Sequence, residues 1–238
     1  MNSILAIDTS SPVLSVAFKK GKGEILRKNI SGFLKHAENL LPAIDQLLKK
    51  KKTSIKEVKT FLIGRGPGSF TGLRIGFATL KGFLALEKKN CFGATSLDMI
   101  AENIELPEKT ELAVLLDARR DKVYARFYKR RNGNWIPKGK PETLPLIDLI
   151  SKLPKEIFIA GDALARYQDM LIYQSEQSGK KIHFIPENKW YPNASTLIHW
   201  FENRDKKLVR LEKPRDFIPL YFRLSEAEER KKAYANTC

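Results

Sequence analysis

The chain has 238 residues, 42% of them hydrophobic and 29% charged, with 43 lysines and arginines against 27 acidic side chains for a net charge of +16. That mixture can bury one large core or two modest ones, and it excludes a chain disordered throughout. Cys91 and Cys238 lie far apart without metal-type spacing, which argues against a disulfide scaffold. The first residues lack the basic and apolar regions of a secretion signal. Arg74 and Lys81 interrupt the best apolar stretch, so a cytoplasmic, unanchored protein is expected.

The predicted elements begin with three short strands. Ser3 to Asp8 comes first, then Leu14 to Phe18 beyond a Ser10-Ser11-Pro12 turn, then Glu24 to Ile30. A helix follows, because Ala37, Leu40, Leu41, Ile44, Leu47 and Leu48 recur at three- and four-residue spacing. Pro42 is expected to bend or shorten its first part. Val58 to Gly64 reads as a buried strand, and a Gly/Pro-rich loop then opens a second helix from about Thr71 to Leu86.

The second half repeats the order. Glu111 to Asp117 and Val123 to Tyr128 read as strands, Trp135 opens a weaker third region, and Leu144 to Leu153 reads as a helix. Glu156 to Gly161 is a strand leading through Gly161-Asp162-Ala163 into another helix. Leu5-Ala6-Ile7-Asp8 is echoed by Val114-Leu115-Leu116-Asp117, and Phe61-Leu62-Ile63-Gly64 by Phe158-Ile159-Ala160-Gly161. Two copies of one supersecondary unit imply a duplicated, two-lobed α/β fold. The expected division is 1–105, 106–224 and a charged tail, 225–238. The basic residues are spread along the chain, and the runs Lys49 to Lys52 and Lys129 to Arg131 sit near element ends. They read as a solvated surface, with attraction to a phosphate backbone as the competing reading.

Arg65-Gly66-Pro67-Gly68-Ser69-Phe70-Thr71-Gly72-Leu73-Arg74 is the most informative segment. It lacks the Lys-Ser/Thr pair of a Walker loop, and Thr71 stands where a dinucleotide fingerprint needs its third glycine. A helix N-terminus can hold an anion, but the segment reads first as a tight strand-to-helix turn that faces a partner. His36, His183 and His199 offer no pair at metal-binding spacing. Ser69 and Ser195 have no neighbouring base in sequence for nucleophilic catalysis. No catalytic or metal residue is assigned.

Ile4 to Ser10, Gly66 to Arg74, Asp117-Ala118-Arg119-Arg120 and Pro219-Leu220-Tyr221-Phe222-Arg223 together resemble the bacterial TsaB family over nearly the whole chain. The resemblance implies an actin-like, ASKHA (ribonuclease H-like) fold. It also implies a role in forming threonylcarbamoyladenosine at position 37 of tRNAs that read codons beginning with A. The implied role is a non-catalytic platform for the transferase TsaD and the small ATPase TsaE, with tRNA reached through the complex. No cofactor of its own is expected; ATP and metal belong to the partners.

In an actin-like ATPase, acidic residues ending the first strand of each lobe face magnesium and phosphate. Asp8, followed by Thr9, and Asp117 occupy those places and mark a possible vestigial nucleotide cleft. Bulky Arg119 and Arg120 follow Asp117 where a glycine would let phosphate approach. The rival reading, a phosphotransferase or threonylcarbamoyl transferase active on its own, loses ground there. On the second helix, Gly72, Gly76 and Thr79 form a small-residue stripe beside a bulky one containing Leu73, Phe77, Leu80 and Leu84. A helix apolar over so much of its girth needs cover from two directions. Periodicity alone leaves open whether its own domain or another chain supplies the second cover; the resemblance implies a partner, which makes Leu40, Ile44, Leu47, Gly72, Gly76, Thr79 and Phe83 the docking candidates, for a dimer through the N-terminal helices.

Overall fold

The computed structural model describes residues 2–32, 35–85, 87, 89–213 and 216–220. The expected tail at 225–238 and the residues Tyr221, Phe222 and Arg223 lie outside the described residues. The first half runs β1 (Ser3–Asp8), β2 (Val13–Lys20), β3 (Leu26–Ser31), α1 (His36–Lys50), β4 (Thr60–Gly64), α2 (Phe70–Leu84), β5 (Asn90–Ala94) and α3 (Ser96–Glu102). The second runs β6 (Glu111–Asp117), β7 (Lys122–Arg131), β8 (Asn134–Pro145), α4 (Leu146–Lys152), β9 (Glu156–Ala160), α5 (Leu164–Ser178), β10 (Lys181–Phe184) and α6 (Ala194–Glu202). A two-residue strand, β11 (Val209–Arg210), follows.

Each half is therefore one βββαβαβα unit, longer by a strand and a helix than the repeat expected from sequence. The sheets run β11-β5-β4-β1-β2-β3 and β10-β9-β6-β7-β8. In both, the first strand pairs antiparallel with the second and parallel with the fourth. Such matched topology is the duplicated actin-like, ribonuclease H-like fold.

The third helices are exchanged between the lobes. Leu97, Ile100 and Ala101 of α3 are buried with Leu112, Val114 and Val123 of the second sheet. Ala194, Leu197 and Ile198 of α6 are buried on Ile4, Ala6, Ala17 and Leu62 of the first. β11 then pairs with β5. The division expected at 105/106 needs correction accordingly: α3 packs forward, and the chain from Ala194 returns to the first lobe. Each exchanged helix is covered on two sides, so burial of its leucines and isoleucines, at roughly 1.5–3 kcal/mol each, ties the lobes together.

A buried polar knot reinforces that tie. Arg126 on β7 reaches both carboxylate oxygens of Asp98 on α3, at 2.8 and 2.6 Å. The Tyr128 hydroxyl donates to Asp98 at 2.9 Å, and Thr95 caps α3 while also donating to Asp98.

Two local expectations change. Pro42 does not shorten α1, which runs unbroken from His36 to Lys50 with Pro42 on its exposed side. Leu144 and Pro145 end β8 rather than open α4, since Val123 pairs with Leu144 and Lys122 with Pro145.

Candidate functional site

The turn after β1, the place expected for a nucleotide's phosphates, is filled by the chain itself. Asp8, Thr9, Ser10 and Ser11 are at most 3% exposed. Asp8 is fully buried, with Oδ1 accepting from the Ser10 amide (2.9 Å) and hydroxyl (2.8 Å) and Oδ2 accepting from the Ser96 hydroxyl (3.1 Å). Burial raises its pKa, opposed by those hydrogen bonds from Ser10 and Ser96.

Four glycines spaced four apart close the turn. A Cβ on Gly64 would lie 1.7 Å from Asp8 Oδ2, on Gly68 2.1 Å from the Ser10 carbonyl, on Gly72 2.0 Å from the Thr9 carbonyl, and on Gly76 2.4 Å from Thr9 Oγ1. The Ser69 amide also donates to the Ser10 carbonyl at 2.6 Å. Gly68, at φ +151, holds a backbone angle that side chains disfavour. The conspicuous glycine loop and the β1 aspartate turn are thus two halves of one contact, with the N-terminal half of α2 laid directly on residues 8–10.

The equivalent turn in the second lobe is filled differently. Arg119, Arg120 and Asp121 all adopt left-handed backbone angles, φ 63, 52 and 53. Side chains pay roughly 1 kcal/mol or more for each such residue. Asp117 stabilises the turn: Oδ1 accepts the Arg119 amide at 2.7 Å, and Oδ2 lies 3.3 Å from the Arg119 guanidinium. Asp162 Oδ1 accepts the Asp117 amide at 2.9 Å. Both aspartates are occupied with backbone. A cleft of about 700 Å³ between the lobes is lined by Val13, Asn29 and Ser31 on one side and by Glu187, Tyr191 and Asn193 on the other. Asp8, Thr9 and Asp117 are not among its walls. The structure therefore does not bring the predicted cleft residues into one open site.

Desolvation pushes the Asp162 carboxyl up to about 6, with Asp117 adding to the rise and its amide opposing it. A folded pKa above the ordinary 3.8 means stability that is complete below about pH 4 and lost as pH rises through 6. The melting temperature is expected to rise between pH 7 and pH 5 by an amount equivalent to about 1 kcal/mol. Asp162→Asn, which keeps the acceptor oxygen, should flatten that rise; an unchanged profile would show that Asp162 is not its source.

The histidines are dispersed. His36 Nε2 sits 2.8 Å from the Ser11 carbonyl, His183 lies beside Glu156, and His199 is on α6. Among the described residues no three His, Cys, Asp or Glu side chains converge as a metal site. Ser10 Oγ donates to Asp8 and not to His36, so no serine–histidine relay forms there.

Leu40, Ile44 and Leu47 are buried with Leu14, Val16, Phe18 and Phe61 under their own sheet. Gly72 and Gly76 face Thr9. As a docking face these five are corrected to core, because periodicity marks an apolar stripe without saying which stripe turns inward. Thr79 and Phe83 are partly buried, and Phe83 stacks on Phe61 at 5.7 Å. The outward side of the α1–α2 pair instead presents Leu41, 54% exposed, with Pro42, Ala78 and Gly82. A Cβ on Gly82 would meet nothing within 4 Å. The sequence signal for this face was present in Leu41, adjacent to the core stripe.

Residues 33–196 match the family model described as TsaD: tRNA N6-adenosine threonylcarbamoyltransferase. The tRNA threonylcarbamoyladenosine biosynthesis protein TsaB of Buchnera aphidicola subsp. Schizaphis graminum is 30% identical over 210 residues, 86% of this chain and 95% of that protein. Its Bacillus subtilis counterpart is 24% identical over 230 residues, 95% and 96% of the two chains. The solved structure named YeaZ from Pseudomonas aeruginosa shares the fold, with a TM-score of 0.71 and 24% identity over 93% of this chain and 100% of that one. Another from the same organism, titled as similar to peptidase YEAZ, gives 0.73 over 94% and 100% at 24% identity. A relative 30% identical across nearly its full length, a family model spanning most of the chain and this two-lobed architecture lead to one conclusion: the chain belongs to the TsaB family, within the wider group that the TsaD model describes.

Proposed function

We propose that this chain is a non-catalytic scaffold subunit in forming threonylcarbamoyladenosine at position 37 of tRNAs that read codons beginning with A. In this reading it binds a TsaD-type transferase and a TsaE-type ATPase, which supply ATP and metal chemistry. The observation that supports it most is the closure of the first-lobe turn. Asp8 has both oxygens engaged inside the protein, and α2 occupies the space a phosphate would need. A magnesium-binding carboxylate must be able to exchange its hydrogen bonds for the metal, and Asp8 has no open side from which to do so.

The docking surface in this reading is the outward face of α1 and α2. Leu41 supplies the apolar anchor, while Ala78 and Gly82 permit close approach of a partner helix. Leu41→Asp tests it directly. Association with the purified transferase, measured by titration, should weaken by about a hundredfold or more, as expected for charge placed at an interface centre. The melting temperature should stay within about 2 °C of the parent, because Leu41 is exposed. Unchanged affinity would remove this face from the account.

A further inference from the structure

The positive charge is not evenly shared between the lobes. Residues 1–95 carry 17 basic and 6 acidic side chains, an excess of +11, whereas residues 96–193 carry 16 and 14, an excess of +2. The fold then gathers much of the first-lobe excess at one pole, opposite the β1–β2 turn. β2 ends there at Lys19 and Lys20, paired with the start of β1 through Ser3↔Lys20. α1 ends there at Lys49 and Lys50 and runs on into Lys51 and Lys52. Lys20 Nζ reaches the carbonyls of Lys51 and Lys52 at 3.5 and 3.4 Å, so the two ends meet. Ser3 bonds the Glu57 carbonyl and accepts from Lys59, and the Asn90 amide bonds the Lys59 carbonyl. Lys89 Nζ donates to the carbonyls of Lys56 and Val58. The basic pole is therefore contiguous across the ends of four adjacent strands, a span of about 14 Å.

Some of these lysines are neutralised locally. Lys19 pairs with Glu202, Lys49 with Asp45, Lys51 with Glu24 and Lys89 with Glu87. Lys22, Lys50, Lys52, Lys56 and Lys59 are exposed and have no acidic partner among the described residues. Among the described residues the large exposed hydrophobics, Leu41, Ile147 and Tyr173 included, lie outside these lysine-bearing segments. A surface that settles on lipid normally couples basic residues to inserted apolar ones, and among the described residues this pole has no large exposed hydrophobic side chain.

We infer that the lysine pole of the first lobe is a binding surface for the phosphate backbone of RNA. This rests on the proposed role in tRNA modification and adds a contact that the role does not require. Ammonium groups on flexible stems act as point charges toward phosphate and read no base edge. The surface holds tRNA by charge and leaves selection of the nucleotide to the catalytic partner.

The test uses the purified full chain, a fluorescein-labelled tRNA transcript and anisotropy titrations over a salt series. Lys22, Lys52 and Lys56 are reversed to glutamate in one variant. Lys109, Lys140 and Lys155 of the second lobe are reversed in a control with the same net charge. Thermal melting checks that both fold. The pole variant is expected to bind tRNA at least about tenfold more weakly, with the slope of log K against log salt shallower by about 2. The control should lose much less. Equal loss in both variants would reduce the attraction to net charge and overturn the pole. Vesicles of phosphatidylserine and phosphatidylcholine form a second arm: pole-dependent sedimentation with them, alongside unaltered tRNA binding, would overturn RNA as the occupant. If the pole variant binds tRNA like the parent while the chain still supports threonylcarbamoyladenosine formation with its partners, the pole fails and the scaffold reading stands.

Discussion

Gly72→Ala is expected to lower the melting temperature by about 8 °C, while Gly82→Ala, ten residues along the same helix, leaves it unchanged or raises it. The added methyl at position 72 would sit 2.0 Å from the Thr9 carbonyl, so either α2 or the β1–β2 turn has to move. Overpacking of this kind costs roughly 1–3 kcal/mol and sometimes more. Alanine's better helix propensity returns up to about 1 kcal/mol. In a chain of this size each kcal/mol moves the midpoint by roughly 2–4 °C. At Gly82 the new methyl meets nothing within 4 Å, so only the propensity gain remains. Gly76→Leu should follow Gly72→Ala in sign, since Thr9 Oγ1 lies 2.4 Å from its Cβ position. Calorimetry on the parent and both alanine variants reads the contrast. A neutral Gly72→Ala would mean that α2 does not rest on residues 8–10 and that the turn has room for a ligand.

The second large effect is expected at the junction of the lobes. Arg126→Met keeps most of the side-chain volume but leaves the Asp98 carboxylate buried with hydroxyl donors and no cation. Removing one partner of a buried ion pair costs about 3–5 kcal/mol, here about 10 °C or more in the melting midpoint. Adding Asp98→Asn to that variant should recover part of the loss, because the uncompensated charge disappears. Full additivity of the two single losses would show that the residues do not act as a pair.

Much of the fold is legible from strand patterns and their order. Leu5-Ala6-Ile7-Asp8 and Val114-Leu115-Leu116-Asp117 announce the two sheet centres, and their repeat announces the duplication. α3 and α6 are not legible in the same way. Ser-Leu-Asp-Met-Ile-Ala-Glu and Ala-Ser-Thr-Leu-Ile-His-Trp-Phe-Glu are only seven and nine residues long and buried over most of their length, so a helical period has too few turns to stand out. The boundary drawn at 105 followed from missing that exchange.

The candidate site was half legible. The spacing of Gly64, Gly68, Gly72 and Gly76 is visible in the sequence, but their contacts, Asp8, Thr9 and Ser10, lie more than fifty residues upstream. Local pattern cannot distinguish a stripe meant for another chain from one meant for a distant turn of the same chain. The lysine pole poses the same difficulty. Lys49 to Lys52 reads as a helix end, and only the pairing of Ser3 with Lys20 and the reach of Lys89 toward Lys56 make it one surface.

The measurement that bears most directly on the scaffold account is nucleoside analysis of unmodified tRNA, by mass spectrometry, after incubation with ATP and a threonylcarbamoyl donor. Three samples are compared: this chain alone, the TsaD- and TsaE-type partners alone, and all three together. The account predicts threonylcarbamoyladenosine only in the complete mixture, at an undiminished level when Asp117→Asn replaces the parent chain. Modified tRNA formed by this chain alone, and lost on Asp8→Asn or Asp117→Asn in a folded protein, would contradict it.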